Sequence, residues 1–126
     1  MPGSETTGDS SVKFLVIVNE SPWGSSLALS AWRFVQASLD SGVEVPAVFF
    51  RGEGVYNVLS GEANDAGTEN LALAWLGLEA RAGTRLLVCS SSRMRRLAAL
   101  PNRAFSESGL AEMFDVMLTC DRVVSF

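Results

Sequence analysis

Three short runs of uninterrupted apolar residues, Phe14 to Val18, Val45 to Phe50 and Leu86 to Cys89, alternate along the chain with segments whose apolar residues recur at helical spacing. A strand that is apolar at every position has to be covered on both faces, and strands separated by helices need crossover connections. The alternation therefore implies βαβ units with right-handed crossovers and a mostly parallel sheet between two helical layers.

The elements read as follows. Lys13 to Asn19 is a buried strand, and Glu20 to Ser26 is a Pro/Gly/Ser loop able to cap the next helix. That helix spans Leu27 to Asp40, with Ala28, Ala31, Trp32, Val35 and Leu39 on one face, and Ser41-Gly42 stops it. Val45 to Phe50 is a second strand. Arg51 to Gly67, rich in Gly, Asn and Asp, is a loop, and Thr68 to Ala82 is a helix with Leu71, Ala72, Trp75 and Leu78 inward, ended by Gly83. Leu86 to Cys89 is a third strand, followed by Ser90-Ser91-Ser92 and a basic helical turn to Leu100, stopped at Pro101. The last helix carries the cleanest pattern, with Leu110, Met113, Phe114, Met117 and Leu118 inward, and leads into a final strand from Arg122 to Ser125. The fold class is α/β, a small flavodoxin-like three-layer sandwich with a mostly parallel sheet, with residues 12–126 as one domain and residues 1–11 as a floppy tail.

Composition narrows the functions open to such a domain. A chain of 126 residues supports one core without staples. Its hydrophobic residues, 48% of the total, exceed what a small monomer needs to fill its interior, so apolar surface is expected to meet a partner. The longest apolar run, Leu71 to Leu78, stops at Glu79, short of the ~18 residues that span a bilayer. No basic start or apolar stretch opens the chain, which reads as cytoplasmic. A net charge of −4 opposes the counterion release that drives binding to free nucleic acid. The chain contains no histidine, which removes Ser-His-Asp triads, Cys-His proteases and His-ligated zinc.

Chemistry then rests on a thiol. In open parallel sheets reactive groups collect beyond the carboxyl ends of the strands, and Cys89 ends the third strand. The helix that follows aims amide donors at the sulfur, and Arg93, Arg95 and Arg96 lie in its first two turns. Both effects favour a thiolate, against the alternative that Cys89 is a small buried hydrophobe and the arginines a solvated helix face. Cys120 precedes the last strand and so belongs at the opposite, amino edge. Strands of four to six residues separate the edges by ~13–20 Å. A disulfide needs Cα atoms within ~7 Å, so neither a Cys89–Cys120 bridge nor a shared metal site is expected, and Cys120 reads as core. Ser21, Gly24, Ser25 and Ser26, between strand one and helix one, stand where flavodoxin-like proteins hold phosphate; a turn and helix cap is the plainer reading, and a flavin or nucleotide module the alternative. No cofactor and no metal are assigned.

Three blocks carry a family resemblance: Phe49-Phe50-Arg51-Gly52-Glu53-Gly54-Val55-Tyr56-Asn57; Val88-Cys89 with Arg95-Arg96 six and seven places on; and the tail Leu118-Thr119-Cys120-Asp121-Arg122-Val123-Val124-Ser125-Phe126. Together they resemble the TusD/DsrE family of sulfur-relay proteins over residues 13–126, with the tail nearer the TusD side. The resemblance implies a DsrE-like fold and a sulfurtransferase subunit whose Cys89 accepts sulfane sulfur as a persulfide and hands it to another protein. It further implies homologous TusB/TusC-like or DsrF/DsrH-like subunits in a heterohexamer, with separate sulfur donor and acceptor proteins, serving 2-thiolation of the tRNA wobble uridine or, alternatively, bacterial sulfur oxidation. Two departures stand out. The family's small-residue run after the cysteine is Ser90-Ser91-Ser92-Arg93 here, with Leu97 where the family has Gly after its paired arginines, and the segment from Leu97 to Glu107, expected to shelter the cysteine, is short.

Overall fold

A computed structural model describes residues 12–23, 26–59 and 70–126. In chain order the elements are β1 (Lys13–Val18), α1 (Leu27–Asp40), β2 (Glu44–Phe50), a 3₁₀ helix (Gly52–Val58), α2 (Leu71–Ala82), β3 (Arg85–Cys89), α3 (Ser90–Arg96), β4 (Phe105–Ser108), α4 (Leu110–Leu118) and β5 (Arg122–Ser125). The five strands form one sheet in the order β4-β3-β2-β1-β5, and every pairing is parallel. The expected tail at residues 1–11 and the expected helical start at Thr68 lie outside the described residues.

Chain direction explains the unequal layers. From β1 to β2 to β3 to β4 the chain steps outward in one direction, and right-handed crossovers put α1, α2 and α3 on the same face. The return from β4 to β5 crosses the sheet in the other direction, so α4 lies on the second face. Alternate strand residues serve the two faces. Val16, Val18, Val48, Phe50, Leu86 and Val88 join Ala31, Val35, Trp75 and Leu78 in the larger core. Leu15, Ile17, Ala47, Phe49, Leu87 and Cys89 form a smaller one with Met113. In the larger core Phe50 meets Trp75 and Phe105 edge to face, at centroid separations of 5.2 and 6.1 Å. The Trp32 indole donates to the Ala74 carbonyl at 3.0 Å, tying α1 to α2.

Besides α3, which ends at Arg96 where the sequence reading carries the helical turn to Leu100, four details differ from the sequence reading. The segment after β2 is not all loop, because the 3₁₀ helix seats against the end of β1. A Cβ added at Gly54 would collide with the Val18 carbonyl, so only glycine permits the approach. Buried Asn57 fixes the far end, donating to the carbonyls of Glu20 and Gly54 and accepting from the Trp75 indole. The second difference is β4, which escapes the pattern reading because an edge strand buries only part of its length. Phe105 and Ser108 are inward, Ser106 and Glu107 exposed.

The third is a correction to α4. Of its five inward candidates, Met113 is buried and Met117 packs against the smaller core, whereas Leu110, Phe114 and Leu118 are 48%, 53% and 85% exposed. The helix is apolar around more of its circumference than one sheet face can cover, leaving an outer stripe at i, i+4 and i+8. The fourth concerns Ser26, which stands at the N-cap of α1 but makes no side-chain capping bond. Among the described residues no helix is long and apolar enough to cross a membrane.

The seating of the 3₁₀ helix gives a test. Gly54→Ala should lower stability in urea by about 2–3 kcal/mol, since a methyl group must displace backbone, whereas Leu118→Ser should change it by less than about 0.5 kcal/mol. Equal effects would contradict the packing described.

Candidate active site at the carboxyl edge of the sheet

Cys89 is the last residue of β3 and the N-cap of α3, with φ −60° and ψ 121°. Its side chain faces the smaller core, the side that α4 alone covers among the described residues, and the residue is 6% exposed. Beside it on the neighbouring strand stands Ser108, also buried.

An N-cap side chain addresses the amides two and three residues on, here Ser91 and Ser92. The neutral thiol makes no capping hydrogen bond, but the Ser91 hydroxyl lies 3.4 Å from the sulfur. Burial pushes the Cys89 thiol up; the hydroxyls of Ser91 and Ser92, and then the amides of the same residues, outweigh burial and hold it below the ordinary thiol value. The Ser92 hydroxyl in turn accepts from the Gly52 amide of the 3₁₀ helix at 2.9 Å.

The three arginines are placed differently from one another. Arg93 donates to the Glu107 carboxylate on β4 and to the carbonyls of Leu97 and Ala98, each at 2.9 Å. Arg96 reaches back to the Ser92 carbonyl at 3.4 Å, and Arg95 is exposed. The interactions that lower the thiol come from the serines, with no guanidinium among them. Read as a small-residue run, Ser90 to Ser92 do not disclose this role; the signal is their spacing from a strand-end residue that caps a helix.

The departures at Leu97 and beyond are accommodated. Leu97 has φ −134° and ψ 140°, an extended conformation open to any residue. Leu97 and Leu100 pack against the larger core, and the chain then enters β4 beside the site.

Cys120 stands at the amino edge, just before β5, whose Arg122 pairs with Phe14 near the start of β1. Both cysteines are free, and Cys120 is partly buried against the smaller core. Burial raises its thiol, and the Thr119 hydroxyl and the charge of Lys13 only partly offset that. As for the loop after β1, the Ser21 hydroxyl is tied to the Trp23 backbone, and Gly24 and Ser25 lie outside the described residues. Among the described residues no three Cys, Asp or Glu side chains group closely enough to hold a metal ion.

A model of the DsrE/DsrF-like family matches residues 12–126. The chain belongs to the DsrE/DsrF-like family. It is 35% identical over 130 aligned positions to Sulfurtransferase TusD of Salmonella paratyphi B, covering 91% of this chain and 100% of that protein. The same figures hold for Sulfurtransferase TusD of Salmonella heidelberg. Among solved structures, the ychN protein from E. coli superposes with a TM-score of 0.78 at 21% identity, covering 91% of this chain and 99% of that one, and so shares the fold.

The two thiols should be separable by pH. Cys89 lies below the ordinary thiol value and Cys120 above it, so the normalised rate of iodoacetamide modification should rise at lower pH for Cys89 than for Cys120. Peptide mass mapping across a pH series checks this, and the reverse order would refute the assignment.

Proposed function

We propose that this chain is a sulfurtransferase subunit that accepts sulfane sulfur as a persulfide on Cys89 and passes it to a partner protein, in a TusD-like relay toward 2-thiolation of the tRNA wobble uridine. The observation that carries the reading is a thiol at the carboxyl edge of the sheet, surrounded by donors that favour its thiolate. Alignment with curated sulfurtransferases along their whole length supports it.

The chemistry suits a chain without histidine. The Cys89 thiolate attacks the terminal sulfur of a donor persulfide, a new S–S bond forms at Cys89, the donor's S–S bond breaks, and the donor leaves as a thiolate. The proton on the transferred sulfur stays with it or is lost to water. No electrons enter or leave, and an ionised acceptor needs no general base. Arg93, Arg95 and Arg96 have a supporting part in this reading: they make the surroundings of α3 positive where an anionic persulfide has to be steadied and a donor received.

Relay also needs partners. The outer stripe of Leu110, Phe114 and Leu118 is exposed, and it is where homologous TusB/TusC-like or DsrF/DsrH-like subunits would cover the chain in a heterohexamer, in the cytoplasm and without direct contact to nucleic acid. With the partner subunits added, the chain should gain thermal stability and appear as a larger species in light scattering. Phe114→Glu with Leu118→Glu should abolish that shift; association unchanged in the double variant would place the interface elsewhere.

Incubation with a cysteine desulfurase and cysteine should add about 32 Da, one sulfur, to Cys89. Cys89→Ser should remove the adduct without unfolding the domain, and Cys120→Ala should retain it. Absence of the adduct in the wild-type chain, alone and with partner subunits, would end the relay reading.

A further inference from the structure

Two hydroxyl groups beside Cys89 are unaccounted for by sulfur chemistry as drawn above, and their hydrogen bonds constrain where their protons can go. The Ser92 oxygen stands 2.9 Å from the Gly52 amide, and an N–H can only donate, so Ser92 is the acceptor there. A serine hydroxyl has one proton and two lone pairs, so Ser92 still has its proton to give. Ser91 lies 3.4 Å from the sulfur. Once the thiol has ionised the sulfur has no proton, so Ser91 must be the donor in that contact.

We propose that Ser91 and Ser92 form a two-hydroxyl cradle for the sulfur anion on Cys89, with Ser91 donating to it directly and Ser92 a positioning residue held by the Gly52 amide. The proposal rests on the persulfide reading of Cys89, which it deepens by naming what holds the charge before and after transfer. Before transfer the charge is on the Cys89 sulfur. After transfer it moves one atom outward to the terminal sulfur. Ser91 is exposed, and a donor on such a side chain can follow the charge by rotating about χ1.

The frame behind the cradle is rigid. Gly52 has φ +55°, a left-handed conformation that turns the chain from β2 into the 3₁₀ helix and brings its amide to Ser92. Gly54, two residues on, is in backbone contact with Val18, and Asn57 is bonded at three points. The position of Ser92 is thus referred to the larger core, independently of α4.

Charged groups on the elements around the sulfur are otherwise engaged. On α3, Arg93 pairs with Glu107 of β4, and Arg96 bonds the Ser92 carbonyl. Glu112 of α4 is held as a carboxylate by the Ser108 hydroxyl and by its pairing with Arg85 of β3. Arg51 and Glu53 of the 3₁₀ segment and Arg95 of α3 are exposed, where solvent screens their effect on the thiol.

The test is the pH midpoint of Cys89 alkylation by iodoacetamide, with sulfur loading measured on the same proteins by intact mass. Ser91→Ala should raise the midpoint by on the order of one pH unit, because it removes a hydrogen bond to a charged sulfur, and Ser92→Ala should raise it too, by releasing the tie to the Gly52 amide that sets this part of α3 beside the sulfur. Loading at neutral pH should fall several-fold in both. Ser92→Thr should keep the wild-type midpoint and Ser92→Val should not; that pair differs by a hydroxyl at nearly constant shape and decides the matter even if Ser92→Ala folds poorly. Midpoints unchanged in Ser91→Ala and in Ser92→Val would overturn the cradle. Shifted midpoints in a protein that never acquires sulfur would uphold the cradle as a thiolate site while ending the persulfide reading.

Discussion

The handedness of the crossovers governs this molecule. Three successive steps in one direction place α1, α2 and α3 on one face of the sheet, and the single return to β5 places α4 on the other. That helix has only nine residues. Among the described residues the second face of the five-stranded sheet has this one short helix where the first has three. Strand alternation then puts the Cys89 side chain on that lightly covered face, with Leu87 and Phe49. Topology therefore gives the thiol both its place at the carboxyl edge and its place in the smaller core under α4.

Within that frame two opposed effects set the sulfur's ionisation. A residue as buried as Cys89 loses hydration of its anion, which by itself would keep the thiol protonated and inert. Hydrogen bonds from neutral donors to an anion are worth roughly 1.5–3 kcal/mol each, and the Ser91 and Ser92 groups together exceed the loss. Cys120 shows the same balance resolved the other way: burial that its fewer donors do not offset, and a nearby Asp121 carboxylate that adds to the cost of a second negative charge. Burial alone thus does not set which way a thiol shifts; the donors and charges around the sulfur do.

How much of this the sequence discloses depends on which forces act locally. The strands β1, β2 and β3 and the inward faces of α1 and α2 are legible because each element is apolar where it meets the core. Leu71, Ala72, Trp75 and Leu78 are all buried as their spacing implies. Beyond them legibility falls. The edge strand β4 has only Phe105 to mark it, and the same periodicity that marks α4 as a helix cannot say which of two apolar stripes faces inward, since the outer one is just as apolar and yet exposed. The strand-end position of Cys89 is legible too. The hydroxyl beside it is not, because the arginines nearby are charged and conspicuous, while their geometry directs Arg93 to Glu107 and leaves Ser91 against the sulfur.

The block from Phe49 to Asn57 joins these threads. Read as sequence it marks family and carries no nucleophile, acid or base placed for chemistry, so its role has to be geometric. Phe49 supplies the smaller core beneath the site, Phe50 the larger core behind it, and Gly52 turns the backbone between them toward α3. Gly54 lets the 3₁₀ helix touch the end of β1, and Asn57 satisfies carbonyls that this close packing would otherwise bury unpaired. A Cβ at Gly54 would push the helix off Val18, and the Gly52 amide, two residues away, would move with it. Because Ser92 is bonded to that amide, such a displacement reaches α3, the helix that Cys89 caps, without altering any of its residues. In this chain the segment from Phe49 to Asn57 is the part of the fold that fixes where Ser92, three residues beyond Cys89, stands.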